Sequence, residues 1–199
     1  GLAALLYLLD EARGIPTGWI ANRNALIALV FGVFALLAHD KWRRDSWSAG
    51  AVVGPLLLVV ALLSAESGLA TTAYLFGYAV FVDRGAFAQR LATLIPYAVV
   101  VVAWRAVYSY LDFGASGSGL YIDPVAQPDR FLLAASQRLP VLLLGQWTSA
   151  PTVLFGFMPG AVKAVIVGVA VVVLGGVAWV LAPVVRSSST AKMWACAML

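Results

Sequence analysis

Three charged side chains stand in stretches that are otherwise apolar. Arg23 lies within Trp19–Ala38, Glu66 is the single charge between Val52 and Val82, and Arg105 lies within Leu91–Leu111. A charge at mid-bilayer costs about 2.5–3.5 kcal/mol on insertion scales, so each marks a candidate binding site. Together they supply two guanidinium groups and one carboxylate. A plainer reading fits the same residues: interfacial charges that reach water, or an Arg–Glu pair that holds helices together.

Other chemistry is poorly supplied. His39 sits in the charged run His39–Asp45 and reads as a solvated loop residue. With that one histidine and the lone Cys196, neither a metal site nor a Ser–His–Asp triad can be assembled. Gly114–Gly119 is glycine- and serine-rich, but no Lys-Ser or Lys-Thr follows it and no strand precedes it, so it reads as a flexible linker and not a phosphate loop. Tyr108, Tyr110 and Tyr121 around it suit an aromatic belt at a membrane interface. No cofactor is evident.

The elements that must carry the three charges are membrane helices. Of 199 residues 62% are hydrophobic and only 11% charged, against about 50% and about 25% in soluble domains. The apolar residues come in blocks separated by short charged clusters, which is the pattern of a polytopic helical bundle and not of a β-barrel. The net charge of +4 follows from cationic loops, and no basic face with interleaved aromatics offers a place to nucleic acid. The expected partner is the lipid bilayer.

The chain thus reads as an all-α transmembrane bundle of one domain, residues 1–199, and as a fragment of a larger membrane protein. About five full spans are expected: Trp19–Ala38, Trp47–Leu63, Leu69–Val82, Leu91–Leu111 and Ala161–Leu181. Truncated helices flank them at Gly1–Leu9 and Met193–Leu199. The apolar run Val52–Val82 is far longer than the roughly 30 Å of a bilayer core, so it folds back at Ser64–Gly68 with Glu66 at the tip. An external segment, 112–159, carries an interfacial helix at Pro128–Leu139 that Pro140 ends. The alternative, a crossing by Phe131–Trp147, would invert the last span.

Lysine and arginine set the orientation. His39–Asp45, Asp83–Arg90 and Arg186–Lys192 are expected on the cytoplasmic face of the inner (cell) membrane of a bacterium. Six of the nine acids, Asp10, Glu11, Glu66, Asp112, Asp123 and Asp129, then lie outside. On that topology Arg23, Glu66 and Arg105 all fall toward the external side, where they can share one pocket.

Trp19-Ile20-Ala21-Asn22-Arg23, then an apolar helix ending in Trp42-Arg43-Arg44, then Leu62-Leu63-Ser64-Ala65-Glu66-Ser67, resembles the membrane region of tetratricopeptide-repeat-linked O-mannosyltransferase-like proteins. These belong to the C-type glycosyltransferase superfamily. The resemblance covers roughly 2–83. It departs at Asp10-Glu11-Ala12-Arg13, where the family carries a His-Pro-x-His segment, at Ala65 in place of Lys, and at Asn22 in place of Gly. It implies sugar transfer from a polyprenyl-phosphate-sugar donor on the non-cytoplasmic face, with Arg23, Glu66 and Arg105 binding the donor phosphate or the acceptor. Two other readings stay open: a secondary transporter or channel with Glu66 and Arg105 on its pathway, and a non-catalytic membrane subunit.

Overall fold

The computed structural model of the chain describes residues 22–113, 122, 127–145 and 152–198, and among these every regular element is helical. The helices are α1 (Arg23–Asp45), α2 (Gly50–Ser64), α3 (Thr71–Phe81), α4 (Phe87–Ala92), α5 (Ile95–Tyr110), α6 (Pro128–Gly145), α7 (Gly160–Ser187) and α8 (Ser189–Met198). Short 3₁₀ turns occupy Glu66–Ala70 and Thr152–Phe157. Three runs, Arg23–Asp45, Phe87–Tyr110 and Gly160–Ser187, are long and apolar enough to cross a membrane. The expected Gly1–Leu9 helix, Trp19, the Gly114–Gly119 linker, Tyr121 and Trp147 lie outside the described residues.

The chain forms two compact units. Among the described residues, one comprises 22–113 with 183–198, and the other the described part of 114–182. In the first, α1 is the helix on which α2 and α3 assemble. It buries Ala28, Gly32, Ala35, Ala38 and His39, a stripe of small residues at helical spacing that lets backbones approach closely. Facing it, Gly50 lies so near that a Cβ would stand 2.5 Å from the Ala38 carbonyl oxygen, and Gly54 meets Tyr97. Farther along α1, a Cβ on Gly32 would collide with the Thr71 hydroxyl at the start of α3. Close approach, not chain flexibility, requires these glycines.

Those contacts also set direction. Ala35 and Ala38 meet Gly54 and Gly50, so α2 runs antiparallel to α1. Gly32 lies by Thr71 and Asp40 by Tyr78, so α3 runs parallel to α1. The reversal between α2 and α3 is made by Ala65, which turns extended, and by Gly68, where a Cβ would lie 2.8 Å from the Ala61 carbonyl carbon. Tyr97 near His39 and Tyr108 near Glu66 show α5 running back alongside α2. Leu58, Leu62, Leu75 and Tyr97 form the core of this unit, with Leu36 and Trp104 packed against it.

The C-terminal α8 joins the same unit. Met193 lies against Gly77, and Trp194 meets the Tyr74 ring edge-on at 5.4 Å.

Several expected boundaries move. The helix expected to close at Ala38 continues to Asp45, and Ser46 caps it in the left-handed region (φ 58) with its N–H returning to Lys41. At 15 and 11 residues, α2 and α3 reach only about 22 and about 16 Å, short of a bilayer core. Pro140 does not end the expected interfacial helix, which runs on to Gly145, and Pro183 lies inside α7. A proline removes one helical donor, and neighbouring turns can absorb that loss in an apolar helix. Where α8 stands, a truncated span was expected from Met193. Helix instead begins at Ser189.

In the second unit, Val141, Phe155 and Ala170 form a small core with Leu144, Ile166 and Val167. The rest of α6, with Arg130, Gln137 and Arg138, is exposed or half-buried. Lys163 is held by the 3₁₀ turn: its ammonium donates to the Gly156 carbonyl at 2.9 Å and stands 5.9 Å from the Phe155 ring centre.

Candidate functional site

Glu66 is the first residue of the turn between α2 and α3 and is exposed. The break at Ala65 lifts it off the end of α2, and it faces the last turns of α5. There the Tyr108 hydroxyl donates to the Glu66 carboxylate through a short hydrogen bond. Arg105 lies one helical turn before Tyr108, with its guanidinium 5.7 Å from the Tyr108 ring centre. Trp104 and Phe113 flank the same ring at 5.0 and 5.8 Å. The result is a string of carboxylate, phenol and guanidinium on one end of the unit, backed by aromatic rings.

Two of the three residues nominated from sequence are therefore joined through a fourth, Tyr108. Arg23 opens α1 at this same end, because α1 and α3 run parallel, and it is exposed. Among the described residues no ion pair links Glu66 to Arg23 or to Arg105. Tyr108 had been expected only as a belt residue. A tyrosine one turn after an arginine has no sequence signal that separates the two roles.

The opposite end of the unit holds a polar cluster that sequence reasoning missed. His39 is not a solvated loop residue: it is 1% exposed. Because α1 continues through the charged run, His39 lies on the small-residue face and points into the bundle. A 3.2 Å hydrogen bond joins its Nδ1 to the Tyr97 hydroxyl, and the rings of Trp42, Tyr78 and Tyr97 meet it edge-on at 5.3–5.6 Å. Beside it the Tyr78 hydroxyl donates to Asp40 at 3.0 Å, and Arg44 pairs with Asp40 at 3.0 Å. The Arg43 Nε donates to Asp83 at 2.9 Å, and the Asp83 side chain is 2% exposed. Helices α1, α3 and α5 are tied together by these bonds at a single level.

The chain matches no protein-family model, no characterised protein and no solved structure.

What each cluster can do follows from its exposure. Around His39 the aromatic packing and the Gly54 contact leave the imidazole enclosed, so this end serves the packing of helices. At the other end Glu66 and Arg105 face outward, and Tyr108 occupies only part of the carboxylate's acceptor capacity. A ligand carrying a hydroxyl for Glu66 and an anionic group for Arg105 fits that arrangement. Among the described residues no group of three His, Cys, Asp or Glu is placed to hold a metal ion.

Proposed function

We propose that this chain is the membrane-embedded part of a C-type glycosyltransferase-like protein, and that the Glu66 end receives a polyprenyl-phosphate-sugar donor and its acceptor. The observation that carries the reading is the Tyr108 hydrogen bond to Glu66 one turn from Arg105. It puts an oriented carboxylate within the same exposed cluster as a guanidinium. Arg105, with Arg23 at the same end, would hold the donor phosphate through paired N–H donors. Glu66 would accept the proton of the acceptor hydroxyl as that oxygen bonds to the sugar and the sugar–phosphate bond breaks, while Tyr108 fixes the carboxylate's rotamer. On this reading the Glu66 end faces the non-cytoplasmic side of a bacterial inner membrane, and the chain crosses about five times.

The test is transfer of a radiolabelled hexose from polyprenyl phosphate in membranes containing the protein. Glu66→Gln should lower transfer by about 10²-fold or more, the size of a lost general base, with the helical spectrum unchanged. Full transfer by Glu66→Gln would sink the proposal. Glu66-dependent solute uptake into proteoliposomes without sugar transfer would replace it with the transport reading.

A further inference from the structure

The segment joining α3 to α4 gathers three arginines around one acid. Asp83 accepts from Arg43 Nε at 2.9 Å on one carboxylate oxygen and from the Arg84 backbone N–H at 2.7 Å on the other. The Asp83 backbone carbonyl accepts from Arg90 Nη1 at 3.3 Å, and the same Nη1 donates to the Val80 carbonyl at 3.1 Å. Gly85, at φ +107, makes the turn that brings Arg90 back over this point. Asp83 thus meets three arginine residues: the Arg43 guanidinium and the Arg84 main-chain N–H on its carboxylate, and the Arg90 guanidinium on its backbone carbonyl. The neighbouring acids are engaged elsewhere, since Asp40 and Asp45 both pair with Arg44.

Donors are left over. The Arg84 side chain is exposed and has no partner among the described residues. Arg90 Nε is buried and has no hydrogen-bond partner, and Arg43 uses only its Nε on Asp83. Spare guanidinium N–H groups on Arg43 and Arg84, two arginines gathered at one acid, suit phosphate oxygens. An apolar track starts at the same place. The Phe87 ring lies 5.3 Å from the Arg90 guanidinium carbon, and Phe87, Ile95, Val99 and Val102 are exposed along the 24-residue apolar run Phe87–Tyr110. Ile95, Val99 and Val102, at i, i+4 and i+7, share one stripe of α5, and Phe87 on α4 stands at the arginine end of the run.

We propose that Arg43, Arg84 and Arg90 around Asp83 form a binding site for the phosphodiester of an anionic phospholipid, whose acyl chains lie along Phe87, Ile95, Val99 and Val102. The apolar track is what selects a lipid over a soluble phosphate. The site lies at the opposite end of the unit from Glu66, and it stands whatever activity Glu66 serves.

Native mass spectrometry of the full chain released from nanodiscs of equal phosphatidylglycerol and phosphatidylcholine tests this. The wild type should retain phosphatidylglycerol over phosphatidylcholine by roughly tenfold, the worth of a charge-assisted phosphate contact. Arg84→Gln, a change at an exposed and unpaired side chain, should remove most of that preference. Lys41→Gln removes the same charge from a position about 200° around α1 from Arg43, and should leave it intact. Equal retention of the two lipids by the wild type would overturn the proposal. So would an equal loss in both variants, which would mean only a general surface potential. Displacement of the lipid by excess inorganic phosphate or soluble glycerophosphate would overturn it too, by assigning the site to a soluble anion.

Discussion

Substitution of Gly54 by alanine tests how tightly the buried end of the first unit is built. The new methyl would overlap the Tyr97 hydroxyl, lie 3.1 Å from Tyr97 Cζ and 3.5 Å from the Ala35 carbonyl oxygen. Tyr97 is 2% exposed and its ring is rigid, so the hydroxyl can clear the methyl only if the ring or α2 shifts. Either movement stretches the 3.2 Å contact with His39. Overpacking costs roughly 1–3 kcal/mol, and a buried polar group left unsatisfied costs roughly 1–3 more. Alanine's better helix propensity returns about 1 kcal/mol. A net loss of about 2 kcal/mol should appear as a lower unfolding midpoint in detergent followed by circular dichroism. Tyr97→Phe supplies the control, because it removes the colliding oxygen while leaving Cζ at a distance that small adjustments relieve. The double variant should then be more stable than the sum of the two single losses requires, with a coupling of about 1 kcal/mol or more. Strict additivity, or a Gly54→Ala protein as stable as the wild type, would refute the placement of Tyr97 between α1 and α2.

Asp83→Asn should destabilise the protein by about 2 kcal/mol, because it leaves Arg43 without its anion in a half-buried site; thermal unfolding measures it, and a matching Arg43→Gln change should recover part of the loss. Gly77→Leu would drive a side chain into Met193, whose carbonyl oxygen already lies 3.0 Å from a Cβ built there. Loosening of α8 should speed thiol labelling of Cys196, the one cysteine of the chain, by several-fold, and an unchanged rate would show that α8 does not depend on that contact.

The helical class and the grouping of charges were legible from composition and from the alternation of apolar blocks with cationic clusters. That alternation put Arg23, Glu66 and Arg105 at one end, and the register of α1, α3 and α5 brings them to the same end. Tyr108 was not legible, because its role comes from a turn 42 residues away. His39 was misread for a related reason. A histidine among charges looks solvated until the helix is continued through it, and its partners Tyr78 and Tyr97 lie far along the chain. A usable signal was present: Ala28, Gly32, Ala35 and His39 fall on one helical face, and Gly50 and Gly54 are four apart on the next helix. Small residues at that spacing mark a close helix pair. Pro140 misled because proline is a weaker stop in apolar helices than in soluble ones.

The shortness of α2 and α3 has a consequence for biogenesis. Neither is long enough to be held in a bilayer by its own hydropathy, and both rest on the small-residue face of α1 through Gly50, Gly54 and Thr71. The emerging chain must therefore present α1 first, as the template against which the following hairpin is retained. A lesion on that face, such as a bulky residue at Gly32, would act during synthesis. It would leave the hairpin unretained and exposed to quality-control proteolysis before any activity could be lost.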